Sequence, residues 1–304
     1  YINILLDSLK LNKFNKALKV AWDPGNGAAG AIIKKLVKLL PGEHTLINSE
    51  IDGLFPSHHP DPTDPENLKE IISLVRKQEL DVGLAFDGDG DRLGVVSSSG
   101  RIVWGDQLLA FLSKEVLSNM PNSSIIADVK ASQNLFNQIE KYGGVPVMWK
   151  TGHSFIKSKM KEISSPLAGE MSGHIFFADR YLGYDDGIYA ALRVLELIED
   201  RYTLDNFLDS LPKTFSTQEI KIECSDDKKF NIIKELASIL DSENIKVNKV
   251  DGLRVQKDDG WWLLRASNTQ AVLVARVEAK SKSSLNNLQK ELNSYLNKFN
   301  LSLS

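Results

Sequence analysis

An α/β protein with a smaller α+β portion at its C-terminal end is what this sequence predicts, and three observations carry that expectation. Short apolar runs alternate with amphipathic helical stretches from Leu18 to about residue 212, the rhythm of helices packed on a mostly parallel or mixed sheet. After Leu211-Pro212 the pattern changes to several strand-like segments with only two helical ones, which points to an antiparallel sheet with helices on one face. The 304 residues, 42% hydrophobic and 25% charged, suffice for two or three ordinary globular cores. The expected division is two similar α/β units with mixed sheets, 1–101 and 102–213, followed by an α+β unit, 214–304.

Taken in order, YINILLDSLK reads as an amphipathic helix and LKVAWD (18–23) as a buried strand. GAIIKKLVKLL is helical and ends at Pro41-Gly42, and HTLINS is a second strand. PENLKEIISLVRKQ (65–78) has helical spacing, and DVGLAF and LGVVSS are buried strands around a polar loop. The rhythm repeats with the helix DQLLAFLSKEVL, the strand SIIADV, the helix SQNLFNQIEKYG, the strand VPVMWK and the helix IKSKMKEI. LAGEMSGHIFF then holds another loop, and DDGIYAALRVLELIED is a helix capped by Asp185 or Asp186. The last third offers TQEIKIEC, a helix near 227–241, IKVNKV, GLRVQ, GWWLLRAS, AVLVARVEA and a final helix near 282–298.

A net charge of −3 gives no argument for nucleic acid or for an anionic membrane, so an anionic substrate must be held by local Lys and Arg clusters. Cys224 is the only cysteine; it sits in an alternating run as a packing residue, and a reducing cytoplasm is the expected compartment. No apolar run approaches the roughly 18 residues of a membrane span. The first residues lack a signal-peptide pattern and an initiator Met, and a longer parent protein is expected.

The loop DGDGDR concentrates Asp87, Asp89 and Asp91 among glycines. Three such close carboxylates repel one another unless a cation neutralises them, and an all-oxygen set suits Mg²⁺ or Ca²⁺. Gly88 and Gly90 are expected to supply the positive-φ turns that curl the carboxylates around one point. An EF-hand is excluded by spacing, because the positions that need Gly and Glu hold Arg92 and Ser98. A haloacid-dehalogenase loop is excluded because Asp91 stands where Thr or Val is required.

GNGAAG (25–30) matches a dinucleotide-binding fingerprint, with Glu50 as a possible ribose partner. Pro24 before the first glycine and the placement of Glu50 past its strand favour a plain tight turn. Ser57 beside His58 and His59 in FPSHHPDP resembles a nucleophile with its base. Sequence neighbours seldom form that pair, and no Gly-x-Ser-x-Gly elbow is present. AGEMSGH sets Glu170, Ser172 and His174 on alternate positions, able to present a carboxylate, a hydroxyl and an imidazole to a sugar. RASNT (265–269) offers a guanidinium, hydroxyls and clustered backbone N–H groups, a phosphate-binding set. Lys130, Lys150 and His153 fall near strand ends, where open α/β sheets bind ligands.

With DGDGDR, DVK, WKTGHS, GEMSGH and RASNT in this order, the chain resembles the α-D-phosphohexomutases, above all the bacterial phosphomannomutase/phosphoglucomutase branch. FPSHHPDPTDPENL and YLGYDDGIYAA extend the likeness to nearly the whole chain. Met171 stands where the similar phosphoglucosamine mutases usually carry Gln, which favours a hexose over an amino sugar. The family has four domains around one cleft, the first with a phosphoserine in a T-x-S-H-N-P-type loop. No such string occurs in the 304 residues, so the resemblance implies family domains two to four without domain one.

The resemblance further implies that a phosphoserine exchanges its phosphoryl group with a hexose 1- or 6-phosphate through a hexose 1,6-bisphosphate, which also serves as activator. Asp87, Asp89 and Asp91 would hold Mg²⁺. Glu170, Met171, Ser172, Gly173 and His174 would read the sugar, and Arg265, Ala266, Ser267, Asn268 and Thr269 would hold the non-transferring phosphate. Arg92, Lys130, His153 and His174 would surround the transferring one, with the acid and base among them unassigned. The expected partners are small hexose phosphates and the missing N-terminal domain of the same protein, not nucleic acid or membrane, and the expected state is a monomer. The chain alone is expected to be inactive. The alternatives are a phosphoglucosamine mutase, a non-catalytic sugar-phosphate-binding module and, remotely, a dinucleotide enzyme. One departure is Ala271, which stands after Gln270 where the family's SNT-x-Pro loop has its proline, and a looser loop is expected there.

Overall fold

The computed structural model describes residues 1–10 and 18–303. The chain begins with helix α1 (Ile2–Asp7). Strand β1 (Lys19–Asp23) then runs parallel to both β2 (Glu43–Leu46) and β3 (Val82–Phe86). Strand β4 (Leu93–Ser97) turns back antiparallel on β3, and the short β5 (Ile102–Val103), not foreseen from the sequence, pairs antiparallel with β4. The sheet order is β2-β1-β3-β4-β5. Alternate residues explain why both faces are covered. Val20, Trp22, Leu84 and Phe86 join one apolar cluster with Ile33 and Leu36 of helix α2 (Ala29–Leu36). Ala21, Ala85 and Val96 join another with Ile71 and Val75 of helix α3 (Lys69–Lys77). Gly83 lets α3 lie close, because a Cβ there would stand 2.9 Å from Val75 Cγ2.

Helix α3 starts four residues later than the expected 65–78. The Asp64 carboxylate accepts the Glu66 N–H at 3.0 Å. Asn67 and Leu68 donate to the carbonyls three residues back, at 3.1 and 3.2 Å. These tight i→i+3 turns occupy the groups that an α-helix would use.

The second sheet has the order β7-β6-β8-β9, from β6 (Ser124–Asp128), β7 (Val145–Trp149), β8 (Leu167–Gly169) and β9 (Ile175–Phe177). Strand β8 is parallel to β6 and antiparallel to β9. Helices α4 (Gly105–Asn119), α5 (Gln133–Lys141), α6 (His153–Ile163), α7 (Gly187–Leu197) and α8 (Thr203–Ser210) complete this part. Helices α4 and α7 pack against strands of both sheets, and one apolar cluster runs from Leu5 to Leu208. The two sheets therefore belong to one compact unit, Tyr1–Met148 with Gly152–Leu211.

The other unit, Trp149–Thr151 with Pro212–Ser304, begins where the sequence pattern changes. Its strands are β10 (Phe215–Ser216), β11 (Ile220–Glu223), β12 (Val247–Asn248), β13 (Leu253–Lys257), β14 (Gly260–Ala266) and β15 (Val272–Ala279). Every pairing among them is antiparallel. Helices α9 (Asp226–Ser242) and α10 (Lys282–Asn297) lay Leu236, Leu240, Leu288, Leu292 and Leu296 against Trp262 and Leu264, one face of β14. Cys224 belongs to this core. An antiparallel sheet with its helices on one face is the predicted α+β arrangement.

Candidate functional site

The aspartate loop is the β3–β4 connection, closed by the Phe86–Leu93 pair. Asp87 is 2% exposed. Its Oδ1 accepts the backbone N–H groups of Gly90 and Arg92, each at 3.1 Å, and its Oδ2 accepts Nε–H of Arg92 at 2.6 Å. Burial pushes the Asp87 carboxyl up to about 6, against the opposing pull of Arg92. Asp91, hydrogen-bonded to His174, is held below the ordinary aspartate range. Asp89 is exposed, and one oxygen from each of the three carboxylates lies within 4.8 Å of the others. That all-oxygen donor set fits Mg²⁺. Gly90 takes a positive φ of 82°, as the expected curl requires, but Gly88 does not. Arg92 is steadied from a second side by Asp61, at 3.2 Å.

The GNGAAG turn supports this loop. Ala28 donates its N–H to the Gly88 carbonyl at 2.9 Å. A Cβ on Gly27 would stand 2.6 Å from that same oxygen, and one on Gly30 would stand 2.4 Å from the Ser49 carbonyl. The glycines are thus needed for close backbone approach, and Glu50 pairs with Lys34 at 2.5 Å. The Ser57–His58 resemblance dissolves in a similar way. His58 Nε2 lies 3.0 Å from the fully buried Asp23, a hydrogen bond that pushes the imidazole up to about 9.

GEMSGH forms the β8–β9 turn, in which Gly173 adopts φ +93°. The Gly173 carbonyl accepts the Leu93 N–H at 3.0 Å, so this turn and the aspartate loop are joined backbone to backbone. His174 spans them. Its Nε2 lies 3.3 Å from Asp91 Oδ1, and its Nδ1 lies 3.2 Å from Glu170 Oε2 and 2.8 Å from Ser172 Oγ. Burial alone would lower this imidazole, but the two carboxylates raise it to about 9. Glu170, 3% exposed, also accepts the Gly152 N–H at 2.6 Å. The Met171 N–H reaches Asp128 at 3.4 Å, and Lys130 lies 3.9 Å from the same carboxylate.

His153 stacks on His174 with 5.8 Å between ring centroids. Asp185 lies 3.0 Å from His153 Nδ1 and accepts Lys157 Nζ–H at 2.8 Å. The helix cap is therefore Asp186, which accepts the Tyr189 N–H at 2.9 Å, and Asp185 is free to serve the site. Gly187 donates to the Gly90 carbonyl at 3.1 Å. Asp61, Asp128, Lys157, Asp185 and Gly187 were not assigned to the site by sequence. Asp128 opens the DVK string, Asp185 and Gly187 lie in YDDG and Asp61 in the proline-rich loop, and Lys157 had no signal beyond its helical spacing. In one unit the structure thus gathers Asp87, Asp89, Asp91, Arg92, Lys130, His153, Glu170, Met171, Ser172, Gly173 and His174.

Arg265, Ala266, Ser267, Asn268 and Thr269 lie on the other unit, at the β14–β15 turn. Arg265 is paired with Asp251, Nε to Oδ2 at 3.0 Å. Ser267 Oγ accepts the N–H groups of Thr269 and Gln270 at 3.4 and 3.2 Å, and Asn268 and Thr269 are exposed while Ala266 is buried in the core. Two hydrogen bonds reach the turn at Gln270 and Ala271. Lys229 Nζ donates to the Gln270 carbonyl at 2.9 Å, and Cys224 N–H to the Ala271 carbonyl at 3.1 Å.

Models of the phosphoglucomutase/phosphomannomutase family match three successive parts of the chain. They are the alpha/beta/alpha domain II at residues 1–100, the alpha/beta/alpha domain III at 104–215 and the C-terminal domain at 219–294. A phosphomannomutase/phosphoglucomutase of Pseudomonas putida is 48% identical over 278 residues, which are 91% of this chain and 60% of that protein. A phosphomannomutase of Methanocaldococcus jannaschii is 34% identical over 318 residues, covering 99% of this chain and 69% of its own. The crystal structure of a phosphoglucomutase/phosphomannomutase family protein from Burkholderia thailandensis superposes with a TM-score of 0.90 at 41% identity, over 98% of this chain and 63% of that one. The chain spans 60% of the length of the Pseudomonas relative. With the three models matching in order and relatives of this similarity, the chain belongs to the phosphoglucomutase/phosphomannomutase family.

Proposed function

We propose that this chain supplies the metal-, sugar- and phosphate-binding parts of an enzyme that interconverts hexose 1-phosphate and hexose 6-phosphate, with mannose or glucose as the sugar. The reaction runs through a phosphoserine and a hexose 1,6-bisphosphate, and the serine belongs to a domain outside these 304 residues. The binding parts divide as 1–101, 102–213 and 214–304, in a cytoplasmic monomer. The observation that carries the reading is the run of contacts from Asp91 through His174 to Glu170, which sets a metal loop and a sugar-reading carboxylate side by side.

Asp87, Asp89 and Asp91 would hold Mg²⁺, which when bound neutralises charge developing on the transferring phosphoryl group. Arg92 and Lys130 add fixed positive charge at that end. His174, set between the carboxylates of Asp91 and Glu170, would donate hydrogen bonds to phosphate. Glu170 and Ser172 receive sugar hydroxyls. Arg265, Ser267, Asn268 and Thr269 bind the non-transferring phosphate, Arg265 exchanging Asp251 for phosphate oxygens.

The test compares the chain with its full-length parent, using glucose 1-phosphate, Mg²⁺ and glucose 1,6-bisphosphate. The parent should turn over, and the chain should bind bisphosphate without turning over. Robust turnover by the chain alone, or none by the parent, would refute the reading.

A further inference from the structure

We propose a second metal site beside the aspartate loop, suited to a borderline divalent ion such as Zn²⁺ and built from Asp91, His174 and Asp185. One ligand atom from each lies within 4.8 Å of the others, and the three come from different parts of the chain. They are the β3–β4 loop, the β8–β9 turn and the segment before α7. His174 Nε2 faces Asp91 Oδ1 at 3.3 Å, so an ion there replaces a direct ion pair. The opposite ring nitrogen is held by Glu170 at 3.2 Å and Ser172 at 2.8 Å. That is the carboxylate–histidine arrangement that orients a metal-bound imidazole and strengthens it as a ligand. Asp185 Oδ2 lies 3.0 Å from His153 Nδ1, and the two imidazoles stack nearly parallel, 18° apart. His153 is the nearest fourth donor, and two nitrogens with two oxygens match the ligand types and number that zinc favours.

The two sites select different ions. The three aspartates offer oxygen alone and suit Mg²⁺, whereas an imidazole-containing set favours Zn²⁺, Co²⁺ or Ni²⁺. Asp91 belongs to both, so the ions exclude one another: Zn²⁺ at His174 and Asp185 withdraws one ligand from Mg²⁺. Only this competition rests on the proposed Mg²⁺ role. Lys157 opposes Zn²⁺ through its 2.8 Å ion pair with Asp185, and replacing it by Met should tighten binding.

The experiment titrates the 304-residue chain with Zn²⁺ by calorimetry in the absence of Mg²⁺, and with Co²⁺ as a visible-absorption reporter. One ion should bind per chain. His174→Gln and Asp185→Asn should each weaken it at least about tenfold, given that even outer-shell partners are worth 10–100-fold. Asp89→Asn, which touches only the Mg²⁺ set, should leave Zn²⁺ affinity unchanged, and saturating Zn²⁺ should raise the apparent Kd for Mg²⁺. Asp185→Glu keeps the carboxylate and should retain binding if Asp185→Asn fails to fold. Absence of Zn²⁺ binding, undiminished affinity in both His174→Gln and Asp185→Asn, or loss of affinity in Asp89→Asn would overturn the proposal. The last result would place the ion in the aspartate loop.

Discussion

Gly187→Ala tests whether the first residue of α7 sets the position of the aspartate loop. In an ordinary helix this exchange stabilises by about 0.5–1 kcal/mol. Here the added Cβ would stand 2.8 Å from both the Gly90 and the Arg92 carbonyl oxygens. Both are backbone atoms that bracket Asp91, so neither can swing away as a side chain would. The φ of Gly187 lies outside the left-handed region, so the cost is steric alone. Overpacking of this kind costs about 1–3 kcal/mol, and pushing the helix start away from the loop also strains the 3.1 Å bond from Gly187 N–H to the Gly90 carbonyl, worth about 1 kcal/mol. The net expectation is a loss of about 1–3 kcal/mol, opposite in sign to the helix-propensity effect. Urea unfolding measures that loss, and Mg²⁺ calorimetry on the same variant should show weaker binding although no ligand was changed. Gly53→Ala is the control, because a Cβ there meets nothing within 4 Å. An unchanged or raised stability in Gly187→Ala, with Mg²⁺ binding as in the parent, would refute the steric argument.

Four further outcomes are expected. His58→Leu leaves the buried Asp23 without its imidazole partner. The shift of His58 from 6.5 to about 9 corresponds to at most about 3 kcal/mol, and with solvent screening of a partly exposed pair to about 1–2. Because the folded-state value is raised, that contribution is complete below about pH 6.5 and lost as pH rises through about 9, and the variant's stability curve should lack this slope. Arg193→Met takes one cation from Asp179, Glu115 and Glu196, which lie 2.8, 2.7 and 3.4 Å from the guanidinium, but leaves Arg180 beside all three, so the loss by denaturant melt should fall below the about 3–5 kcal/mol of a fully uncompensated buried charge. Burial would raise the Glu115 carboxyl, but Arg193, Lys10 and Arg180 hold it down to about 2. The parent therefore loses this contribution as pH falls below the ordinary glutamate range, and the variant should show a flatter acid limb. Asp89→Asn should leave stability within about 0.5 kcal/mol, as surface changes usually do, while weakening Mg²⁺ binding. Asp87→Asn should cost about 1–3 kcal/mol, because its amide would face Nε–H of Arg92 donor to donor.

The sequence carried the architecture because its signals were local. Val20 and Trp22 alternate with Ala21, and the pattern break at Pro212 coincides with the boundary between units. Two of the two-residue strands, β5 and β10, left no periodicity to read. The start of α3 depended on the Asp64 side chain and on Asn67 donating to the Asp61 carbonyl at 3.0 Å, contacts with no periodic signature. At the candidate site, residue types drew attention to DGDGDR and GEMSGH, but the partners of those loops come from far along the chain. Asp185 meets His153 across 32 positions, and Asp61 meets Arg92 across 31. The choice between Asp185 and Asp186 as helix cap could be made only when the other residue was seen to be occupied. Pro24 and the placement of Glu50 mark GNGAAG as a plain tight turn rather than a dinucleotide fingerprint, and the carbonyls of Gly88 and Ser49 beside Gly27 and Gly30 give the physical reason for its glycines.

Three identical residues in DGDGDR have three different tasks within the protein. Asp87 is the latch: its carboxylate accepts two backbone N–H groups and the Arg92 side chain, bonds that would hold the turn in shape whether or not a cation is bound. Asp91 is tied to His174, so its charge is already balanced within the protein. Asp89 alone is exposed to solvent. Repulsion among the three is thereby reduced to a cost that one arginine and one imidazolium can offset. A cation arriving at Asp89 must compete with Arg92 for Asp87 and with His174 for Asp91. Its affinity is set as much by those two cations as by the carboxylates, and substitutions at Arg92 or His174 should tune Mg²⁺ binding at the three aspartates in the direction opposite to substitutions of the aspartates.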